Sequence, residues 1–329
     1  MVTNWLITGG CGFLGTSLIR RLLLNPKSHN IRVIDNLITG SKRELSLVSN
    51  FRQLSIDDLP KNLNGVEFLK GDILDKELAL KVSKGVDIIV HLAANTGVGP
   101  SVEFPREDCF TNVIGTFNYL EAARLNKIPK FIFASSGAPA GEVEPPIHEE
   151  LPPHPVSPYG ASKLAGEGYC SAYFKTFGIS TIVLRFGNVY GPGSKNKSSV
   201  VAKFIRKAIE GEVLKIYGDG LQTRDFIYID DLIDALILAS LKPEAGGEVF
   251  QIASHHETTI QELTTKILLE LKDRGFKNIS IDYTENRKGD VRRNFSDTSK
   301  AQRILCWTPK VTLDNGIKNT IKYFLQDRK

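Results

Sequence analysis

Three glycines, at positions 9, 12 and 15, stand between a short apolar run and an amphipathic one. No other feature narrows the fold as far. Asn4-Trp-Leu-Ile-Thr8 reads as a buried strand, and Phe13, Leu14, Leu18, Ile19, Leu22 and Leu23 then recur at helical spacing. Glycine at this period allows a tight turn, close approach of the backbone to a pyrophosphate, and close packing of helix on strand. The helix N-terminus offers its N–H groups to the phosphates. A second strand, Ile31–Asp35, ends in an acid 20 residues after Gly15. A carboxylate there binds the hydroxyls of an adenosine ribose and repels a 2′-phosphate, which favours NAD over NADP. Lys42 and Arg43 weigh the other way.

The rest of the chain alternates strand and helix. Strands are expected at Val66–Leu69, Val86–His91, Lys130–Ser135 and Thr181–Arg185, and helices near Lys76–Lys84, Asn112–Leu125 and Tyr159–Phe177. The alternation predicts an α/β fold, a Rossmann-type doubly wound parallel sheet with helices on both faces. Residues 39–65 read as a polar loop or short helices. A Pro-rich stretch, residues 144–158, is expected to cross the mouth of the sheet. After Gly187 the elements shorten. A dinucleotide-binding domain over residues 1–186, with 226–252 returning to it, and a smaller α/β substrate-binding domain over 187–329 are expected.

With 41% hydrophobic and 24% charged residues, the chain has ordinary globular composition. The net charge of +5 comes from scattered cations, which argues against a nucleic-acid partner. Cys11, Cys109, Cys170 and Cys306 have neither metal-ligand nor disulfide spacing, so no metal is expected. No signal-peptide pattern precedes the first strand and no apolar run is long enough to cross a membrane. The expected compartment is therefore the cytoplasm.

Chemistry enters at Ser157-Pro-Tyr-Gly-Ala-Ser-Lys163. Tyr159 and Lys163 are one helical turn apart, so both side chains emerge on one face. Ser157 suits the helix cap and Pro158 the first position. The helix dipole and a lysine cation both favour the phenolate, as a tyrosine base working near neutral pH requires.

Ten motifs in order carry a family resemblance. They are TGGCGFLG at 8–15, VIDNLITG at 33–40, KGDILD at 70–75, HLAA at 91–94 and NVIGTFNYLEAA at 112–123. They continue with FASSG at 133–137, SPYGASKLAGE at 157–167, LRFGNVYGPG at 184–193, GDGLQTRDFIYIDDL at 218–232 and RKGDVRR at 287–293. The chain resembles extended short-chain dehydrogenase/reductases of the nucleotide-sugar epimerase/dehydratase family, and within it UDP-glucose and UDP-N-acetylglucosamine 4-epimerases. The resemblance implies a cofactor set of Gly9, Gly12, Phe13, Leu14, Gly15, Asp35, Asn36, Asp72, Ile73, Leu92, Ala93, Ala94 and Ser135. It makes Ser136 the hydroxyl that hydrogen-bonds the sugar 4-oxygen, Tyr159 the base, and Lys163 the residue that holds the nicotinamide ribose. Asn188, Arg224 and Arg287 match diphosphate contacts. Asn294, seven residues after Arg287, matches a position bordering the sugar, where a small residue goes with tolerance of an N-acetyl group. Simpler readings stay open: Ser136 as a strand-end hydroxyl, Asp72 as a helix cap at Ile73, and Arg224 paired with Asp225 or Asp230.

The expected reaction is 4-epimerisation of a UDP-hexose or UDP-N-acetylhexosamine through a 4-keto sugar, with NAD retained. A nucleotide-sugar 4-ketoreductase, a uronate epimerase, a dehydratase and a noncatalytic dinucleotide sensor are the alternatives. Gly137 and Ala138 follow Ser136 where dehydratase relatives carry an Asp-Glu pair, which disfavours 4,6-dehydration. Pro139 and Ala140 depart from the pattern of many relatives and leave the pocket shape on that side open. The resemblance also implies a homodimer, packed through the helices near Asn112–Leu125 and Tyr159–Phe177.

Overall fold

The computed structural model describes residues 2–60, 62–285 and 291–326. The first half alternates as expected: β1 (Thr3–Thr8), α1 (Phe13–Leu22), β2 (His29–Asp35), α2 (Lys42–Ser46), β3 (Arg52–Gln53), β4 (Val66–Lys70), α3 (Lys76–Val82) and β5 (Ile88–His91). Then come α4 (Val98–Glu103), α5 (Pro105–Cys109), a π-turn over Phe110–Ile114, α6 (Gly115–Leu125), β6 (Lys130–Ser136), α7 (Pro158–Phe177) and β7 (Ser180–Phe186). The remainder holds β8 (Asn188–Tyr190), α8 (Val200–Glu210), β9 (Leu214–Tyr217), β10 (Thr223–Arg224), β11 (Phe226–Tyr228), α9 (Ile229–Leu241), β12 (Val249–Ile252), β13 (Thr258–Thr259), α10 (Ile260–Lys272), β14 (Ile281–Thr284), α11 (Ser299–Leu305) and α12 (Leu313–Gln326).

Eight strands form one sheet in the order β12-β7-β6-β5-β1-β2-β4-β3. All its pairings are parallel. A parallel sheet covered on both faces needs strands that are apolar on both sides. The side chains of Trp5, Leu6 and Ile7 are accordingly all buried, in two core layers on opposite faces of the sheet. The chain reverses its winding between β1 and β5. This is the topological switch point, outside whose strand ends ligands bind in open α/β sheets.

Three sequence expectations shift in detail. The strand expected from Val86 starts at Ile88, because the Asp87 N–H already bonds back to the Asn4 carbonyl. The loose stretch 39–65 holds one short helix and, unforeseen, the edge strand β3, since Arg52 reaches the buried Glu67 carboxylate on β4. The helix expected from Asn112 opens in a π-turn continuous with α5, and such turns often accompany functional sites. Within residues 226–252, β12 joins the sheet beside β7, and α9 packs against α1. The Pro-rich stretch ties the first half to the second through Ile147, whose N–H bonds the Phe295 carbonyl and whose carbonyl accepts from Asp297. Among the described residues, no helix is long and apolar enough to cross a membrane.

Candidate active site

The turn after β1 closes only because of its glycines. Gly9 has φ +68°, and a Cβ there would lie 2.8 Å from the Ala93 nitrogen. A Cβ on Gly15 would lie 2.4 Å from the Gly10 Cα. α1 starts without a side-chain cap, so the N–H groups of its first turn, at Phe13, Leu14 and Gly15, are left for a ligand. Gly12 stands at the cap position itself.

Asp35 ends β2 facing this turn. Its Oδ2 accepts from the Cys11 N–H at 2.9 Å and its Oδ1 from the Leu37 N–H at 2.8 Å. Burial pushes its carboxyl up, and the two backbone donors oppose that. A carboxylate has about four lone-pair sites, so accepting capacity remains for ribose hydroxyls.

Asn36 donates to Asp72 Oδ2 at 3.0 Å, and Asp72 Oδ1 accepts from the Leu74 N–H at 2.9 Å. Asp72 is therefore no helix cap, since Asp75 caps α3 by accepting from Leu78 N–H. The Ile73 side chain is buried against Gly115, which leaves mainly its backbone for a ligand. Across the crevice, the Leu92 N–H bonds the Thr8 carbonyl and the Ala93 N–H the Thr8 hydroxyl, which holds 92–94 against the Gly turn. Gly turn, open helix N-terminus and Asp35 together fit the diphosphate and ribose of a dinucleotide.

Ser136 is the last residue of β6, and α7 starts at Pro158 with Ser157 Oγ accepting from the Gly160 N–H at 3.1 Å. The strand end and the first turn of the helix thus bring Ser136 close enough to Tyr159 to lower its pKa, while Ser136 Oγ accepts from the Ala138 N–H at 3.0 Å. Lys163 is buried; its Nζ donates to the Ala134 carbonyl at 2.9 Å and lies 5.9 Å from the Tyr159 ring centre.

The electrostatics differ from the sequence expectation. Burial pushes the Tyr159 hydroxyl up to about 12, with Ser136 pulling it down and Asp108 pushing it further up. Burial also pulls Lys163 down to about 8, opposed by Asp108 and Glu167. Helix spacing alone suggests a ready phenolate, but the low-dielectric site disfavours both charged forms.

The sequence reading missed a buried frame behind these residues. Glu167, one turn beyond Lys163, accepts from Ser135 Oγ at 2.5 Å and from Arg185 Nε at 2.9 Å and Nη2 at 2.6 Å. The Ser135 hydroxyl thus spends its proton on Glu167, leaving only lone pairs and backbone for a cofactor. On the other side, Asn112 in the π-turn accepts from the Asn95 N–H at 2.8 Å. Its Nδ2 reaches the Asn95 carbonyl, Asp108 and Ser162. The spacing Tyr159, Lys163, Glu167 was legible as one helix face; the partners of Glu167 were not.

Asn188 lies on β8, paired with Phe226 of β11, and Arg224 lies on β10. Arg224 Nη1 donates to the carbonyls of Thr223 and Val291. The acids suggested as its ion-pair partners are otherwise engaged: Asp225 is buried and accepts from Ser254, His255 and Ser296, and Asp230 meets Arg20. Asn294 is held by its N–H to Thr223 Oγ1 at 3.3 Å. Its amide comes within 3.5 Å of where a Gly137 Cβ would be, next to Ser136. Arg287 lies outside the described residues. The departing segment Ala138–Ala140 forms a short 3₁₀ turn against the start of α7, where Gly160 leaves room for the Ala138 carbonyl. Among the described residues, no group of three or more His, Cys, Asp or Glu side chains is arranged to hold a metal ion.

Residues 5–253 match the NAD dependent epimerase/dehydratase family. A putative UDP-glucose 4-epimerase of Methanocaldococcus jannaschii is 37% identical over 324 residues, covering 97% of each chain. The structure of a UDP-glucose 4-epimerase from Thermotoga maritima with UDP-glucose aligns at TM-score 0.87 and 34% identity, over 99% of this chain and 100% of that one. A UDP-N-acetylglucosamine 4-epimerase from Methanobrevibacter ruminantium, in complex with UDP-N-acetylmuramic acid, aligns at TM-score 0.86 and 30% identity, over 99% of both chains. Other relatives are a UDP-glucuronate 4-epimerase at 32% and dTDP-D-glucose 4,6-dehydratases at 29% identity. The chain belongs to the NAD dependent epimerase/dehydratase family and is an NAD-dependent sugar epimerase of the extended short-chain dehydrogenase/reductase type.

Proposed function

We propose that this enzyme inverts C4 of a UDP-hexose or UDP-N-acetylhexosamine. The observation that carries the reading is the convergence of Ser136, Tyr159 and Lys163 at the sheet's crevice, with Gly137 and Ala138 next to Ser136. Neither Gly137 nor Ala138 can transfer a proton, so the site holds the base for oxidation at C4 and lacks the acid–base pair for loss of water.

In this reading Tyr159 takes the proton of the 4-hydroxyl while Ser136 hydrogen-bonds the oxygen, and Lys163 holds the nicotinamide ribose. Bound NAD would supply the hydride acceptor and donor at C4, so that no redox equivalent is consumed. Asn188, Arg224 and Arg287 hold the diphosphate while the 4-keto sugar turns, and Tyr159 then gives the proton back. Guanidinium groups suit this task because they meet phosphate oxygens in a fork. Residues 1–186 with 226–252 form the cofactor domain, and the rest of 187–329 forms the substrate domain.

Asn294 is the proposed specificity residue, since a small amide beside Gly137 leaves room for an acetamido group and can hydrogen-bond it. Purified protein given a panel of UDP-sugars and no added cofactor is expected to interconvert UDP-N-acetylglucosamine and its galacto epimer. Asn294→Tyr is expected to lose that activity at least about tenfold while sparing UDP-glucose, the scale of a steric discrimination in a pocket. Turnover of UDP-glucose alone by the wild type would refute the pocket assignment.

A homodimer belongs to the same reading. Phe110, Ile114, Leu125, Tyr169 and Phe177 are 40–54% exposed on the helices expected to pair. Large apolar groups clustered on one surface mark association sites. Light scattering should give twice the chain mass at micromolar concentration; a monomer would rule the dimer out.

A further inference from the structure

The loop between β8 and α8, residues 191–199, lies against the Gly turn. Gly193 has φ +92°, and the Phe13 ring lies 3.2 Å from where its Cβ would be, so this approach requires glycine. The loop is built rather than loose. Ser194 Oγ donates to the Gly191 carbonyl at 2.6 Å and the Lys197 N–H to the Ser194 carbonyl at 2.9 Å. Arg206, on α8, donates from behind to the carbonyls of Lys195 and Lys197.

This framework sets the Lys197 ammonium 5.2 Å from the centre of the Phe13 ring, the first residue of α1. Lys197 also lines a cleft of about 420 Å³ that includes Thr39, Ala94 and Asn95. The carboxylates lining that cleft are Glu107 and Asp108. Lys195, on the same loop, is turned to the Tyr323 ring. Among the described residues Lys197 forms no ion pair and donates no side-chain hydrogen bond, and burial alone pulls it down to about 8. A desolvated amine of this kind lacks an anion.

We propose that Lys197 clamps the diphosphate of the bound dinucleotide, supplying from the rim the full positive charge that the Gly turn, with N–H dipoles only, does not provide. The assignment rests on the reading of the Gly turn as the cofactor site. Nothing in the ten family motifs marks this lysine, which follows the last residue of LRFGNVYGPG by four. An entering diphosphate restores the charge on the amine, so binding above about pH 8 takes up a proton. Affinity then falls as pH rises through and beyond that value, because the free amine is increasingly neutral.

The test uses the full chain. Lys197→Gln is expected to speed release of NAD from the purified holoenzyme about tenfold, the scale of one charge-assisted hydrogen bond. With nucleotide removed, it is expected to weaken ADP-ribose by a similar factor while leaving adenosine and UDP unchanged. Calorimetry in buffers of different ionisation heat should find proton uptake with ADP-ribose near pH 8.5 in the wild type and none in the variant. Lys197→Arg should restore affinity without the pH dependence, since arginine stays charged. Wild-type ADP-ribose affinity and proton uptake in Lys197→Gln would overturn the proposal. So would a loss of UDP rather than ADP-ribose affinity, which would put the lysine on the substrate's diphosphate, or an equal loss of adenosine. If the wild type bound neither ADP-ribose nor adenosine, the cofactor-site reading itself would fall.

Discussion

Tyr159→Phe will keep the fold and both nucleotides but lose at least about a hundredfold in turnover, the usual scale for a positioned acid–base group. The hydroxyl contributes little to packing, because Lys163 bonds the Ala134 carbonyl and α7 is capped by Ser157. The loss should therefore appear in kcat and not in the NAD content of the purified protein. Ser136→Ala gives a second view of the same group. The Ser136 hydroxyl pulls the Tyr159 hydroxyl down, so its removal raises that pKa and moves the acid limb of the activity profile to higher pH. Near-normal turnover of a folded Tyr159→Phe would end the assignment, and an unshifted acid limb in Ser136→Ala would detach Ser136 from it.

Glu167→Ala is expected to destabilise the fold by about 3–5 kcal/mol, the range for removing one partner of a buried ion pair. Arg185 and Glu167 are only 5% and 6% exposed, and one Arg185 nitrogen, Nη1, already lacks a partner among the described residues. Without the carboxylate, a guanidinium would stand uncompensated between β7 and α7, and Ser135 would lose its acceptor beside Ser136. Chemical denaturation measures the change. Replacing both residues by leucine should recover most of the stability, because the cost comes from the orphaned charge and not from the lost attraction. A loss below about 1 kcal/mol in Glu167→Ala would mean that water reaches Arg185 and the pair braces nothing.

Much of the site was legible because its chemistry is written in contiguous residues. The Gly turn, the acid that ends β2 and the Tyr159–Lys163 turn each follow from steric and hydrogen-bond rules spanning a few positions: the first leads into α1, the second closes β2 and the third opens α7. The edge strand β3 escaped notice because two exposed residues carry no period; what fixes them is Glu67, on the neighbouring strand. Ser135 and Ile73 were read as cofactor residues from motif position, yet the side chains of both turn inward, to Glu167 and to Gly115. A motif specifies where the backbone passes, and packing decides which way the side chain faces.

The sequence by itself determined the parallel α/β sheet, the dinucleotide turn and the pairing of tyrosine with lysine on one helix face. Only the tertiary structure decided what surrounds them. It puts Asn294 beside Gly137, Lys197 over Phe13 and Arg185 against Glu167, and it adds β12 to a sheet begun at Thr3. It also set the electrostatics of Tyr159 against the expected ready phenolate, because burial pushes the hydroxyl up further than Ser136 pulls it down. The physical reason is the same in each case. Local geometry follows from short-range sterics and hydrogen bonding, whereas dielectric environment and long-range neighbours exist only once distant segments have packed.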